Sequence, residues 1–144
     1  MKKLITSFTK LVPVFPSLTK GLDGTKTFKE LKLLAKAARR FQEQMIDIET
    51  VSKTKAEEWN KQNPPLKGEE ENFAEKSISR QKSMGDFIEA QKNFHDEELI
   101  FELSEEELKA VQSAVDGYKP SKDITPQFLI NISEFLEDIE EAIK

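Results

Sequence analysis

Apolar or small residues recur at Leu31, Leu34, Ala38, Phe41, Met45, Ile48 and Ser52, alternately three and four positions apart, among charged neighbours. That spacing keeps one stripe on a single helical face, with the period of a coiled-coil seam. It predicts one long helix over residues 27–63. Thr27 with Glu30 three residues on is a capping-box pattern, and Asp23-Gly24 before it signals a turn. Asn63-Pro64-Pro65 ends the helix, because the residue before a proline is pushed out of the α region.

The same rhythm returns at Phe73, Ser77, Arg80, Met84, Phe87, Gln91 and Phe94, and predicts a second helix over residues 69–94. Its three leading glutamates, Glu69-Glu70-Glu71, suit the positive end of a helix dipole. Two long helices joined by a short Pro/Gly connection fold back antiparallel, so the pair should form a helical hairpin. Polar residues interrupt both seams: Arg80 and Gln91 in the second helix, Ser52 and Lys55 in the first. The expectation is a solvated tip whose long side chains lie along the surface.

Ser104 with Glu107 forms a second capping-box pattern and opens a short helix that ends at Gly117. After a linker over residues 118–123, Thr125 as N-cap and Pro126 at the first helical position open a last helix. Its apolar face runs through Phe128, Leu129, Ile132, Phe135, Leu136, Ile139 and Ile143. Residues 98–103 are the best strand candidate. Between Leu4 and Leu18 the apolar residues fit a helical period, interrupted by Pro13 and Pro16, so a broken helix is expected there, with pairing to 98–103 as the alternative. The fold class is therefore all-α, with at most one short strand or β-hairpin. A long antiparallel hairpin packs with the short helix and the C-terminal helix, and residues 104–144 form an acidic helical end. At 144 residues one helical domain, 1–144, is expected.

Composition narrows the chemistry. The absence of cysteine removes disulfides, thiolate metal sites and a cysteine nucleophile. No apolar run approaches the roughly 20 residues that span a bilayer, and the lysine-led N-terminus lacks the uninterrupted apolar stretch and cleavage site of a signal peptide. A cytoplasmic protein is expected. Charge is unevenly spread: residues 1–61 hold 13 Lys/Arg against 7 Asp/Glu, a balance of +6, and residues 62–144 hold 9 against 20, a balance of −11. The two halves should attract each other, or different partners.

The single histidine, His95, precedes Asp96, Glu97 and Glu98, but contiguous carboxylates point in different directions and seldom converge on one atom. The glutamate clusters lack the Glu-x-x-His pairs of di-iron bundles. Phosphate loops, nucleophile elbows and His-Glu-x-x-His are also missing. No catalytic residue, metal ligand or cofactor is assigned, and the expectation is a protein that is not an enzyme.

What the sequence does offer is a basic flank: Lys29, Lys32, Lys36, Arg39 and Arg40 fall at helical spacing near the start of the first long helix. Such a row can track a phosphate backbone, or be neutralised by the chain's own acidic helices, and no aromatic platform accompanies it. Trp59, the only tryptophan, falls near the hairpin tip, either exposed as a partner anchor or folded back on Leu66.

Phe28-Lys29-Glu30-Leu31-Lys32-Leu33-Leu34-Ala35-Lys36, the following Ala38-Arg39-Arg40, the charged middle, and Glu98-Leu99-Ile100-Phe101-Glu102-Leu103 with Ser104-Glu105-Glu106-Glu107-Leu108 together resemble small uncharacterised bacteriophage helical proteins. The resemblance covers most of the chain through pattern rather than a diagnostic motif. It implies a phage-encoded structural or assembly factor, or an inhibitor of a host protein, located in the host cytoplasm or a virion. The expected partner is a protein, either a second copy or a host or virion component, with nucleic acid as the alternative through the basic flank. No membrane partner is expected.

Overall fold

Lys2–Thr6 and Leu99–Leu103 alternate buried and exposed side chains, the signature of a strand with one face on a core. They pair as β1 and β2, antiparallel, with Leu4 opposite Phe101 on the inner face and Lys3 opposite Glu102 on the outer. The structure, a computed structural model, describes residues 1–19, 26–68, 71–118 and 124–144. The expected turn at Asp23-Gly24, Glu69 and Glu70, and most of the linker at 118–123 lie outside the described residues. Among those described, the helices are α1 (Phe8–Thr19), α2 (Phe28–Gln62), α3 (Phe73–His95), α4 (Glu105–Gly117) and α5 (Pro126–Ile143).

The all-α expectation holds, with a small two-stranded sheet as the exception. The N-terminal expectation needs correction. Residues 4–18 are not a broken helix: the alternative, pairing with 98–103, holds through Thr6, after which the chain runs as one helix through both prolines. Ser7 supports the start of α1, its Oγ accepting from the Lys10 amide at 3.4 Å and its carbonyl from the Leu11 amide at 3.0 Å. Each proline removes a helical hydrogen bond at a cost of about 3 kcal/mol in a helix interior. The opposing contribution is burial, since Leu11, Val14 and Leu18 are almost wholly withdrawn from water.

The chain divides into two compact units, residues 1–45 with 97–144, and residues 46–96. The first holds the core. Phe41, fully buried on α2, meets Phe101 of β2 edge-on at 4.9 Å between ring centroids and Phe135 of α5 at 6.4 Å. Leu34, Ala37, Ala38 and Met45 extend its buried stripe, while Leu108, Val111 and Val115 of α4 and Ile139 of α5 contribute from the other helices. The charge asymmetry is spent here in part: Lys10 Nζ lies 3.0 Å from Asp138 Oδ2, and Lys2 Nζ donates to the Ile143 carbonyl at 2.7 Å, placing a cation at the negative end of α5.

Both helix starts near the C-terminus form as expected. Ser104 Oγ accepts from the Glu107 amide at 3.1 Å and Glu107 Oε1 faces the Ser104 amide at 3.5 Å, while Thr125 Oγ1 accepts from the Phe128 amide at 3.2 Å.

The second unit is the helical hairpin formed by residues 46–62 of α2 with α3. Its contacts descend one helix as they climb the other: Ser52 to Gln91, Trp59 to Phe87, Asn63 to Arg80, which establishes the antiparallel pairing. No side chain of α3 is fully buried. Helix α3 also starts later than expected, at Phe73 after Asn72 in a left-handed conformation (φ 58°), so Glu71 precedes the helix and Glu75 is the acid in its first turn.

Candidate interaction surfaces

The basic flank separates into two parts. Lys29, Lys32 and Lys36 are exposed on the first turns of α2, where the helix polarity is opposite to that favouring cations, and none has an acidic partner among the described residues. Lys32 Nζ sits over the ring of exposed Phe28 at 5.9 Å. Arg39 and Arg40 are engaged. Arg39 Nε lies 3.5 Å from Glu43 Oε1 on its own helix, both groups well exposed, a contact worth a few tenths of a kcal/mol.

Arg40 donates from its guanidinium to the Glu102 carbonyl of β2 and lies 3.7 Å from Glu107 Oε2. Glu107 is buried and already accepts from Ser104, so Arg40 supplies the compensating charge that a buried carboxylate requires. Among the described residues, internal neutralisation by the acidic half therefore accounts for Arg40 but not for the three lysines. A cleft of about 460 Å³ beside the start of α2 is lined by Lys26, Lys29 and Lys109 together with Glu30 and Glu106. Its alternating signs give no net cradle for an anion.

Trp59 takes neither of the two positions read from the sequence. It is half-buried in the hairpin, stacked on Phe87 with centroids 5.7 Å apart and rings 26° from parallel. Its Nε1 donates to Ser83 Oγ at 3.1 Å, and the Arg80 guanidinium lies 5.1 Å from its ring centroid. Arg80 also donates to the Asn63 carbonyl at 3.3 Å, and the Gln91 amide donates to the Ser52 carbonyl at 3.0 Å. The residues that interrupt the seams are thus the ones that bind the two helices together, rather than side chains lying along the surface. Lys55 completes the pattern, with Nζ 4.1 Å from the centroid of Phe94.

Because polar and aromatic layers fill the seam, apolar side chains are left outside: Ile46, Val51, Ile78 and Ile88 are all exposed. Beside Trp59 a groove of about 220 Å³ runs between the helices, lined by Lys55, Glu58, Trp59, Gln62, Phe87, Ala90 and Gln91. That volume is below the range of small-molecule sites and suits single side chains of a partner. Sequence reading missed this groove. Phe87 was visible as a seam residue, but Ala90 and Glu58 carry no signal until the two helices are in register.

Ser52 Oγ and His95 Nε2 are 2.7 Å apart, a nucleophile beside a base in outline. Ser52 sits inside α2, where the surrounding amides are consumed by helical hydrogen bonds, so no preorganised donors face an oxyanion there. Among the described residues no group of three or more His, Asp or Glu side chains converges as a metal site, and no helix is long and apolar enough to cross a membrane. Comparison with protein families, with curated proteins and with solved structures finds no match to this chain.

Proposed function

We propose that the chain is a non-enzymatic protein-interaction module, in which the unit of residues 1–45 and 97–144 is the folded support and the hairpin is the binding element. One observation carries this reading: the hairpin, formed by 51 of the chain's residues, leaves Val51, Ile78 and Ile88 exposed while no residue of α3 is fully buried. Apolar surface of this kind on long helices is what partner helices bind. The sequence resemblance to small bacteriophage proteins supports a structural or assembly role, or inhibition of a host protein.

Affinity capture with the intact chain tests the reading. A partner, whether a second copy or another protein, is expected to be retained and to be lost when Ile78 and Ile88 or the groove residues are replaced by charged ones. A chain that stays monomeric and retains nothing contradicts it.

A second reading, nucleic-acid binding, is favoured by exposed Lys29, Lys32 and Lys36, which have no acidic partner among the described residues. Its test uses Lys29→Glu, Lys32→Glu and Lys36→Glu, leaving Arg40 in place because of its contacts with Glu102 and Glu107. Salt-sensitive binding that these changes abolish supports it, and unchanged affinity excludes it.

A further inference from the structure

We infer that the lysine row at the start of α2 binds a single-stranded nucleic acid, with one unpaired base stacked on the ring of Phe28 and the adjoining phosphates on Lys29, Lys32 and Lys36. The inference rests on the nucleic-acid reading above and names the form of nucleic acid. The sequence pattern shows no aromatic platform beside these lysines, yet the fold supplies one. Phe28 is the first residue of α2 and is 77% exposed, and among the described residues it is the one exposed large apolar side chain of residues 26–45.

The placement follows from helix geometry. Phe28, Lys32 and Lys36 lie four residues apart and Lys29 three before Lys32, so at 3.6 residues per turn all four share about 100° of one side of α2. The row runs about 12 Å along the helix axis. Lys32 Nζ stands 5.9 Å from the centroid of the Phe28 ring, near the outer limit of a cation–π contact, so it flanks the ring without covering it. Like charges three and four positions apart repel, and among the described residues no carboxylate pairs with these lysines. Glu30, the only acid of residues 26–40, falls on another side of the helix, in the cleft it shares with Glu106, and of the row Lys29 alone borders that cleft. Glu43 closes the row by holding Arg39.

Ring and charges together select the occupant. A row of cations accepts any polyanion, but a ring flanked by cations adds a flat apolar face, and its match is a base whose own faces are free. In a duplex those faces are stacked on neighbouring pairs, whereas single strands, loops and ends offer them. An anionic membrane calls for an apolar stripe beside the lysines. Here Leu34 is buried and Leu31 and Leu33 are half-buried, which leaves a single ring, enough for one base and too little for insertion.

Fluorescence anisotropy of the full chain with a labelled mixed-sequence DNA strand, and with the duplex that strand forms with its complement, tests the inference. Co-sedimentation with vesicles of anionic phospholipid is the third arm. The strand is expected to bind more tightly than the duplex, with an affinity that falls as salt rises. Phe28→Ala is expected to weaken binding of the strand about tenfold while leaving its salt dependence and the duplex unchanged, and Phe28→Trp to retain it. Lys32→Ala and Lys36→Ala are each expected to flatten the slope of log affinity against log salt by about 0.7. Circular dichroism confirms that each variant keeps its helices, as the exposure of these side chains leads one to expect. A duplex bound as tightly as the strand, or a Phe28→Ala chain that binds the strand as tightly as the wild type, overturns the inference and leaves the nucleic-acid reading standing. A chain that binds neither strand nor duplex overturns both, as does one held by the vesicles alone.

Discussion

The two units are built from the same material, amphipathic helix at three–four spacing, and use it differently. In the unit of residues 1–45 and 97–144 the stripe closes on Phe41, Phe101 and Phe135, and its polar groups serve as caps and as ion pairs at the edges. In the hairpin the equivalent stripe carries Ser52, Trp59, Arg80 and Gln91, joined by hydrogen bonds and ring contacts, with isoleucines facing outward. Apolar burial contributes roughly 25 cal/mol per Å² without regard to direction, whereas each polar layer contributes about 1 kcal/mol net and only in one register. The first arrangement gives stability, and the second gives a defined but weakly held pairing whose outer surface remains available. That difference is what the proposed division into support and binding element should show.

The contrast makes graded predictions. Phe41→Ala should cost about 3–5 kcal/mol in denaturant unfolding, because it empties the centre of three packed elements. A loss below about 1 kcal/mol would mean that this unit has no single core. Trp59→Ala should cost less, about 1–2 kcal/mol, and should lower helicity while leaving the first unit folded, as read by amide resonances of the two units. Ser104→Ala should follow at about 1–2 kcal/mol, since it removes the cap and a partner of buried Glu107. The smallest effect should come from Arg39→Ala, within about 0.5 kcal/mol of wild type, because its ion pair is solvent-exposed.

Much of this contrast was legible residue by residue, and the failures have identifiable causes. Leu34, Ala38, Phe41 and Met45 were read as one face and are buried. The same period continued through Ile48 and Ser52, yet these are only half-buried, because periodicity says where a face points and not how much chain arrives to cover it. The first strand stood only as the alternative to a broken helix, because Leu4 and Phe8 also fit a helical period and its partner lies nearly the whole chain away. Pro13 and Pro16 argued for a break that tertiary burial overrode.

The candidate surfaces show the same division. Exposed Lys29, Lys32 and Lys36 follow from helical spacing alone. The capture of Arg40 by Glu102 and Glu107 depends on a distant strand and helix, which local pattern does not carry. Trp59 was placed correctly near the tip, but its stacking on Phe87 required the register of the two helices.

Native-state hydrogen exchange on dilute protein tests the central claim, that support and binding element are energetically separate. The account predicts that amides of α3 exchange through openings of lower free energy than those of residues 34–45 in α2 and of α4. Equal protection of α3 and these core amides, lost together in one global opening, would contradict it.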